Sequence, residues 1–418
     1  MNFFRVSIAV GLFLVPVAAA DKNTANDVPT YAKEVSRILQ KNCEGCHRPG
    51  QIGPFSLTSF EQARAFAPEI KRVTGERRMP PWHAEPGYGE FRNDRRSDAD
   101  IATLARWVDG ATPKGDPREL PAPVPYSDDW ALGPPDAVLT PDAAFELDAT
   151  GADEFRCFVI PTSFAEDRTI QALELRPGNR RVVHHALMYA DVSGRARQLD
   201  AADPKPGFRC FGGLGFLPQN GLGGWAPGSR PGRLPEDTGR YLSKGADFVM
   251  QIHYHKSGKP ETDRTSVGLY FNRVPATRFL RSQPVLNLRI RIPAGAASHR
   301  ETAAWTLPED MLVNSATPHM HLLGKEMRMV ATLPDGVTRD LVWVKNYDFN
   351  WQTPYVFKEP ILLPKGTRID VTAWFDNSEN NKNNPSRPLK EVRWGEETTD
   401  EMLIGWLGLI TDRPFARR

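Results

Sequence analysis

At 418 residues the chain is long enough for two or three domains. Its 53 Lys and Arg against 51 Asp and Glu leave a net charge of +2, so there is no basic excess to hold nucleic acid or an anionic membrane surface. Beyond the N-terminus no stretch supplies the roughly 18 apolar residues of a membrane span, and the mature protein is expected to be soluble with no stable span.

Residues 1–20 place Arg5 before an apolar run from Val6 to Val17 and end in Ala18, Ala19 and Ala20. That composition is a secretory signal, which predicts a periplasmic or secreted protein. Disulfides persist in such compartments. Of the four cysteines, Cys43 and Cys46 share one motif, and Cys157 and Cys210 remain. A Cys157–Cys210 bridge is expected, two free thiols being the alternative.

A helical pattern over Tyr31 to Leu39, with Val35, Ile38 and Leu39 on one stripe, runs into C-E-G-C-H, Cys43 to His47. Two thiols at this spacing reach the vinyl groups of a porphyrin, and the next residue offers iron an axial imidazole. The motif predicts one covalent haem c on Cys43, Cys46 and His47. For the distal ligand Met79, in R-R-M-P-P-W-H, is the first choice, because a thioether raises the reduction potential as electron carriers require. His83 competes with it and would give a lower potential. Ser97 and Asp100 form a capping box ahead of the stripe Ile101, Leu104 and Val108. This layout resembles a small class I cytochrome c over residues 27–115.

Prolines crowd the stretch between Ala111 and Pro135, so residues 116–137 are read as a stiff linker and a domain boundary. Short strands with Gly and Pro turns follow at intervals suited to β-sandwiches. R-V-V-H-H-A-L-M-Y-A places His184 and His185 next to each other in an apolar strand. Neighbours on a regular strand face opposite sides, so both can reach one ion only where the strand is bulged or ending. In D-F-V-M-Q-I-H-Y-H-K, Phe248, Met250, Ile252 and Tyr254 alternate with Val249, Gln251, His253 and His255, which predicts one apolar and one ligating face. His255 is read as a non-ligand, exposed or behind a ligand. S-A-T-P-H-M-H-L-L-G-K puts His319 and His321 on one side of an extended strand, where two imidazoles can chelate one ion. Six of the nine histidines thus fall in three pairs. Met402, in D-E-M-L-I-G-W-L, reads from its own surroundings as a core position.

Together these motifs resemble the type II copper, ascorbate-dependent monooxygenases, represented by peptidylglycine α-hydroxylating monooxygenase and dopamine β-monooxygenase, over residues 138–415. The resemblance implies two coppers, one held by His184, His185 and His253 and one by His319, His321 and Met402. It also implies a counterpart for Gln251, a disulfide where Cys157 and Cys210 lie, and two jelly-roll-like β-sandwich copper domains at 138–275 and 276–415. The expected fold class is therefore a small all-α cytochrome c domain followed by two all-β domains.

Three imidazoles suit a copper that only passes electrons, whereas a thioether beside two imidazoles favours the reduced state that binds dioxygen. By analogy, His319, His321 and Met402 are the catalytic set. The peptide-amidating members grip a substrate carboxylate with an Arg and a Tyr where this chain has Thr317 and Trp406. That departure argues against a glycine-extended peptide. The expected activity is hydroxylation of a C–H bond of a small organic substrate with O2, with electrons entering through the haem from an external donor. The alternative is a redox or copper-binding carrier that keeps the scaffold without hydroxylating.

Overall fold

The computed structural model describes residues 28–414 apart from 50, 52, 93, 95–96, 125–129, 211–212, 227–228, 230, 350 and 396. The expected signal at 1–20 lies outside the described residues. Three hydroxyl residues start the N-terminal helical segments. Thr30 caps the turn Tyr31–Val35, which leads into Ser36–Asn42, and Ser59 caps Phe60–Ala65. Ser97 accepts the Asp100 N–H at 3.2 Å at the start of Asp98–Asp109, satisfying a donor that a helix start leaves open. With Ala67–Gly75, these helices bury Val35, Leu39, Ile70, Leu104 and Trp107 among themselves.

The expected fold class is corrected here. The described chain is mostly β-strand, and no all-α cytochrome domain stands at its N-terminus. The helices are short, and the stretch between Ala67–Gly75 and Asp98–Asp109, inside the expected boundaries 27–115, belongs to a β core. Trp82, Ala84 and Phe91 are buried with side chains of the C-terminal sandwich. Ala84 bridges to Val344 and Phe91 to Phe357, and the Arg92 N–H donates to Val356 O at 2.9 Å. Pro80 and Pro81 disfavour helix, and Trp82, Ala84 and Phe91 just beyond them are buried in a sheet layer, whereas Leu104 and Trp107 return to the helical cluster.

Linker residues near the first sandwich are pinned: the N–H groups of Ala131 and Leu132 donate to the Glu174 carboxylate at 2.7 and 3.1 Å, and the Tyr270 hydroxyl donates to Gly133 O. A five-stranded sheet runs in the order Phe208–Arg209, Glu154–Pro161, Asp247–Tyr254, Val183–Asp191, Asn220–Trp225. A four-stranded sheet runs His299–Thr306, Arg368–Phe375, Gly324–Thr332, Thr338–Val344. Both pack on one eight-stranded sheet, ordered Ala137–Leu139, Ser266–Phe271, Arg168–Arg176, Thr238–Leu242, Arg278–Leu286, Ile404–Thr411, Met311–His319, Tyr355–Leu363. The first four of these strands close the sandwich around Phe248, Met250, Ile252 and Tyr254, and the last four close the one around Val313, Met327, Val371 and Leu407. The two halves meet where Thr238 and Gly239 pair in parallel with Arg278 and Phe279.

Candidate metal centres

Strand Asp247–Tyr254 is central in the five-stranded sheet, and its alternation separates two environments. Phe248, Met250, Ile252 and Tyr254 enter the sandwich core, while Val249 packs with Cys157, Phe208 and Cys210. Cys157 and Cys210 form a disulfide with Cα atoms 5.8 Å apart. The Gln251 amide lies on that bridge, donating from Nε2 to Cys210 O at 2.9 Å. His253 is the next residue on this face and continues it beyond the disulfide.

His253 stands opposite Phe155 on one neighbouring strand and His185 on the other. Between Val183 and His185 the register shifts, so His184 has no cross-strand partner and both adjacent imidazoles reach His253. Nδ1 of His185 is 3.2 Å from Nδ1 of His184 and 3.4 Å from Nδ1 of His253. All three ligand atoms lie within 4.8 Å of one another. Nitrogens bound to one ion at about 2.0–2.1 Å sit about 3–4 Å apart, so this triad fits a single metal ion. Phe155 stacks on His253 at 4.2 Å.

Asp153 fixes which nitrogen His253 offers. Nε2 of His253 donates to Asp153 Oδ2 at 2.7 Å, which leaves Nδ1 for the triad. The other Asp153 oxygen accepts from His255 Nδ1 at 3.1 Å, so the exposed His255 lies behind the ligands. Burial pushes the Asp153 carboxyl up, but hydrogen bonds and charge from His253 and His255 outweigh it and hold the group below its usual range. Burial, with His253 nearby, lowers His184 to about 4, and burial lowers His185 well below its ordinary value. Neutral imidazoles are the form a metal takes.

The second group ends strand Met311–His319. The His319 and His321 rings lie 5.4 Å apart at 87°. Nδ1 of His319 donates to Gln352 Oε1 at 2.7 Å, and Nδ1 of His321 faces Asp400 O at 3.3 Å. Both of these contacts engage Nδ1. Glu401, fully buried, organises the turn: Oε2 accepts the N–H groups of His321 and Met402 at 2.9 and 3.0 Å, and Oε1 accepts that of Leu323 at 2.7 Å. Met402 is thereby brought beside His321, half-buried at the edge of the sheet instead of in the core. Burial, reinforced by His319, lowers His321 to about 3, and burial lowers His319 as well. Thr317 and Trp406 are cross-strand neighbours two residues before His319.

The ring of Phe349 contacts both groups. Phe349 stacks on His184 with centroids 5.4 Å apart at 20°, and meets His321 at 5.8 Å and 80°. The Thr398 hydroxyl approaches Asp153 Oδ2 at 3.4 Å, a second contact across the halves.

Neither Cys43 nor Cys46 is in a disulfide, and the His47 ring donates from Nδ1 to Phe55 O at 3.2 Å, leaving Nε2 available. Gly53 passes so close that a Cβ there would lie 2.9 Å from His47 Nδ1. This geometry suits an axial imidazole whose tautomer is fixed by a backbone carbonyl. Met79 is half-buried after helix Ala67–Gly75, its N–H on Val73 O at 3.1 Å. His83 lines a small cleft with Pro318, Tyr347, Asp348 and Trp351 of the C-terminal sandwich.

Asp153, Phe349, Gln352 and Glu401 escaped sequence reasoning. Only Glu401, inside D-E-M, adjoined a residue already singled out.

No family profile matches this sequence, and no curated protein matches it significantly. Among solved structures, the major capsid protein P2 of bacteriophage PM2 aligns at 8% identity and a TM-score of 0.27, over 67% of this chain and 99% of that one. An infectious bursal disease virus particle protein aligns at 9% and 0.19, over 68% and 72%. The mavirus major capsid protein aligns at 10% and 0.17, over 70% and 90%. Scores this low support no statement about fold or function.

Proposed function

We propose that this chain is an exported copper monooxygenase that hydroxylates a C–H bond of a small, uncharged organic substrate with O2. One oxygen atom enters the substrate, and the other leaves as water with two electrons and two protons from outside. The reading rests above all on three Nδ1 atoms converging at His184, His185 and His253, close to a second imidazole pair that Glu401 ties to a methionine.

When bound, copper supplies one-electron chemistry and O2 activation. The chain's part is to hold it. His184, His185 and His253 present Nδ1 with Asp153 behind them, while His319 and His321 present Nε2 with Gln352 and the Asp400 carbonyl behind them. The Met402 thioether would complete a soft set with His319 and His321, one that favours the reduced metal. Thr317 and Trp406 offer a neutral, partly aromatic surface beside His319. Cys43, Cys46 and His47 would hold a haem as the entry point for electrons from an external donor, and Met79 would be its other ligand; His83 lines a cleft with residues of the C-terminal sandwich.

Purified full-length protein should contain two coppers per haem. With the haem reduced, it should consume O2 and reoxidise the haem only when a hydroxylatable substrate is present. Met402→Ala should abolish that turnover while the three-histidine copper and the haem spectrum persist. Unchanged electron transfer in Met402→Ala, with no substrate-dependent O2 uptake in either protein, would point instead to a carrier.

A further inference from the structure

Phe349 touches both histidine groups and sits in a loop that leaves it little freedom. Residues 345–354 join strands Thr338–Val344 and Tyr355–Leu363. On one side of Phe349, the Tyr347 hydroxyl accepts the Met320 N–H at 3.0 Å and donates to Met320 O at 2.7 Å, locking the loop to the residue between His319 and His321. On the other side, Gln352 donates from Nε2 to Phe349 O at 3.1 Å while its Oε1 accepts from His319. The Trp351 N–H closes a turn on Asp348 O at 2.9 Å. Fastened on both flanks to the second group, the ring lies flat against His184 of the first.

We propose that Phe349 is a fixed aromatic spacer that sets the separation of the two histidine groups and keeps water out of the gap between them. An apolar ring wedged between imidazoles offers water no hydrogen-bond partner, and packing of this kind resists rearrangement because interiors have few voids to move into. With its centroid 5.4 Å from that of His184 and 5.8 Å from that of His321, the ring takes up space that a solvent ligand shared by these two imidazoles would need. Phe349 acts through the ligands and is a positioning residue. Its role in separating metals rests on the copper reading above, whereas its shielding of the imidazoles does not.

The two claims are tested separately. In metal-free full-length protein, carbethoxylation of each histidine is followed by peptide mass mapping, with the exposed His255 as reference. Phe349→Ala should raise the reactivity of His184 and His321 several-fold relative to His255, and Phe349→Leu should raise it less. Should the alanine variant fail to fold, the leucine variant carries the test. Unchanged reactivity at both histidines in a folded variant overturns the shielding role. In the second arm Cu(II) is the probe, and pulsed dipolar spectroscopy reads the inter-copper distance. The parent should give one narrow distribution and Phe349→Leu a broader one, with the spectrum of each single copper unchanged. Identical distributions overturn the separating role. Failure of the parent to bind two coppers overturns the copper reading while the labelling arm still decides the spacer.

Discussion

Glu401 holds His321 by its backbone, not by its ring: the carboxylate accepts the His321 N–H at 2.9 Å from full burial. The same oxygen also takes the Met402 N–H, so one side chain sets the spacing of two candidate ligands that are distant in sequence.

Glu401→Ala leaves two buried N–H groups, at about 1–3 kcal/mol each, and the part-buried one of Met402 without their acceptor. The variant should melt several degrees lower and lose metal at His319, His321 and Met402, yet still bind at the triad. Glu401→Gln, which keeps an acceptor, should fall between. Equal metal content in parent and alanine variant would refute this role, by titration followed with element analysis.

Asp153→Asn tests the tautomer of His253. The amide can present its NH2 to Nε2, so Nδ1 is no longer reliably the free nitrogen. Affinity of the triad for copper should drop about 10- to 100-fold, the usual cost of losing a carboxylate behind a histidine ligand. Competition titration with a chromophoric chelator measures it, and His255→Ala should have little effect.

Acid should weaken the metal-free fold. Burial holds His184 at about 4 and His321 at about 3, against an ordinary 6.5. The unfolded chain takes up protons on these rings as pH falls through about 6.5 while the folded chain does not, so stability is lost progressively between there and pH 3 to 4. Burial raises Glu401 to about 8, which adds stability as pH falls and offsets part of this loss. With Glu401→Gln as the background, urea midpoints recorded from pH 7 to 4.5 should decline, and a flat profile would contradict the neutral, buried imidazoles.

Reducing the Cys157–Cys210 bridge opens a loop of sequence separation 53. The chain-entropy relation puts the loss at about 4 kcal/mol. It should also loosen Gln251 and the strand that carries His253, so Cys157→Ala should lower both the melting temperature and the affinity of the triad. A variant that melts lower but binds metal as tightly would separate the bridge from the site.

Strands were readable where period two and burial agree. Phe248, Met250, Ile252 and Tyr254 alternate in the sequence and line one core. The irregularity at His184 was readable as a requirement, because two neighbouring residues share one side only if pairing slips there, and the register does shift. Trp82, Ala84 and Phe91 misled, since a short apolar segment after two prolines carries no sign of which distant layer will bury it. Asp153, Phe349 and Gln352 were invisible for a similar reason. They lie outside regular periodic elements, and their partners are about 30 to 250 positions away. Only folding makes them neighbours.

The strand Arg278–Leu286 binds Thr238–Leu242 on one edge and Ile404–Thr411 on the other. Because hydrogen bonds continue across that seam, swinging the halves apart like a jaw would break sheet pairing. If the proposed activity holds, crosslinking the two halves to each other should leave it largely intact.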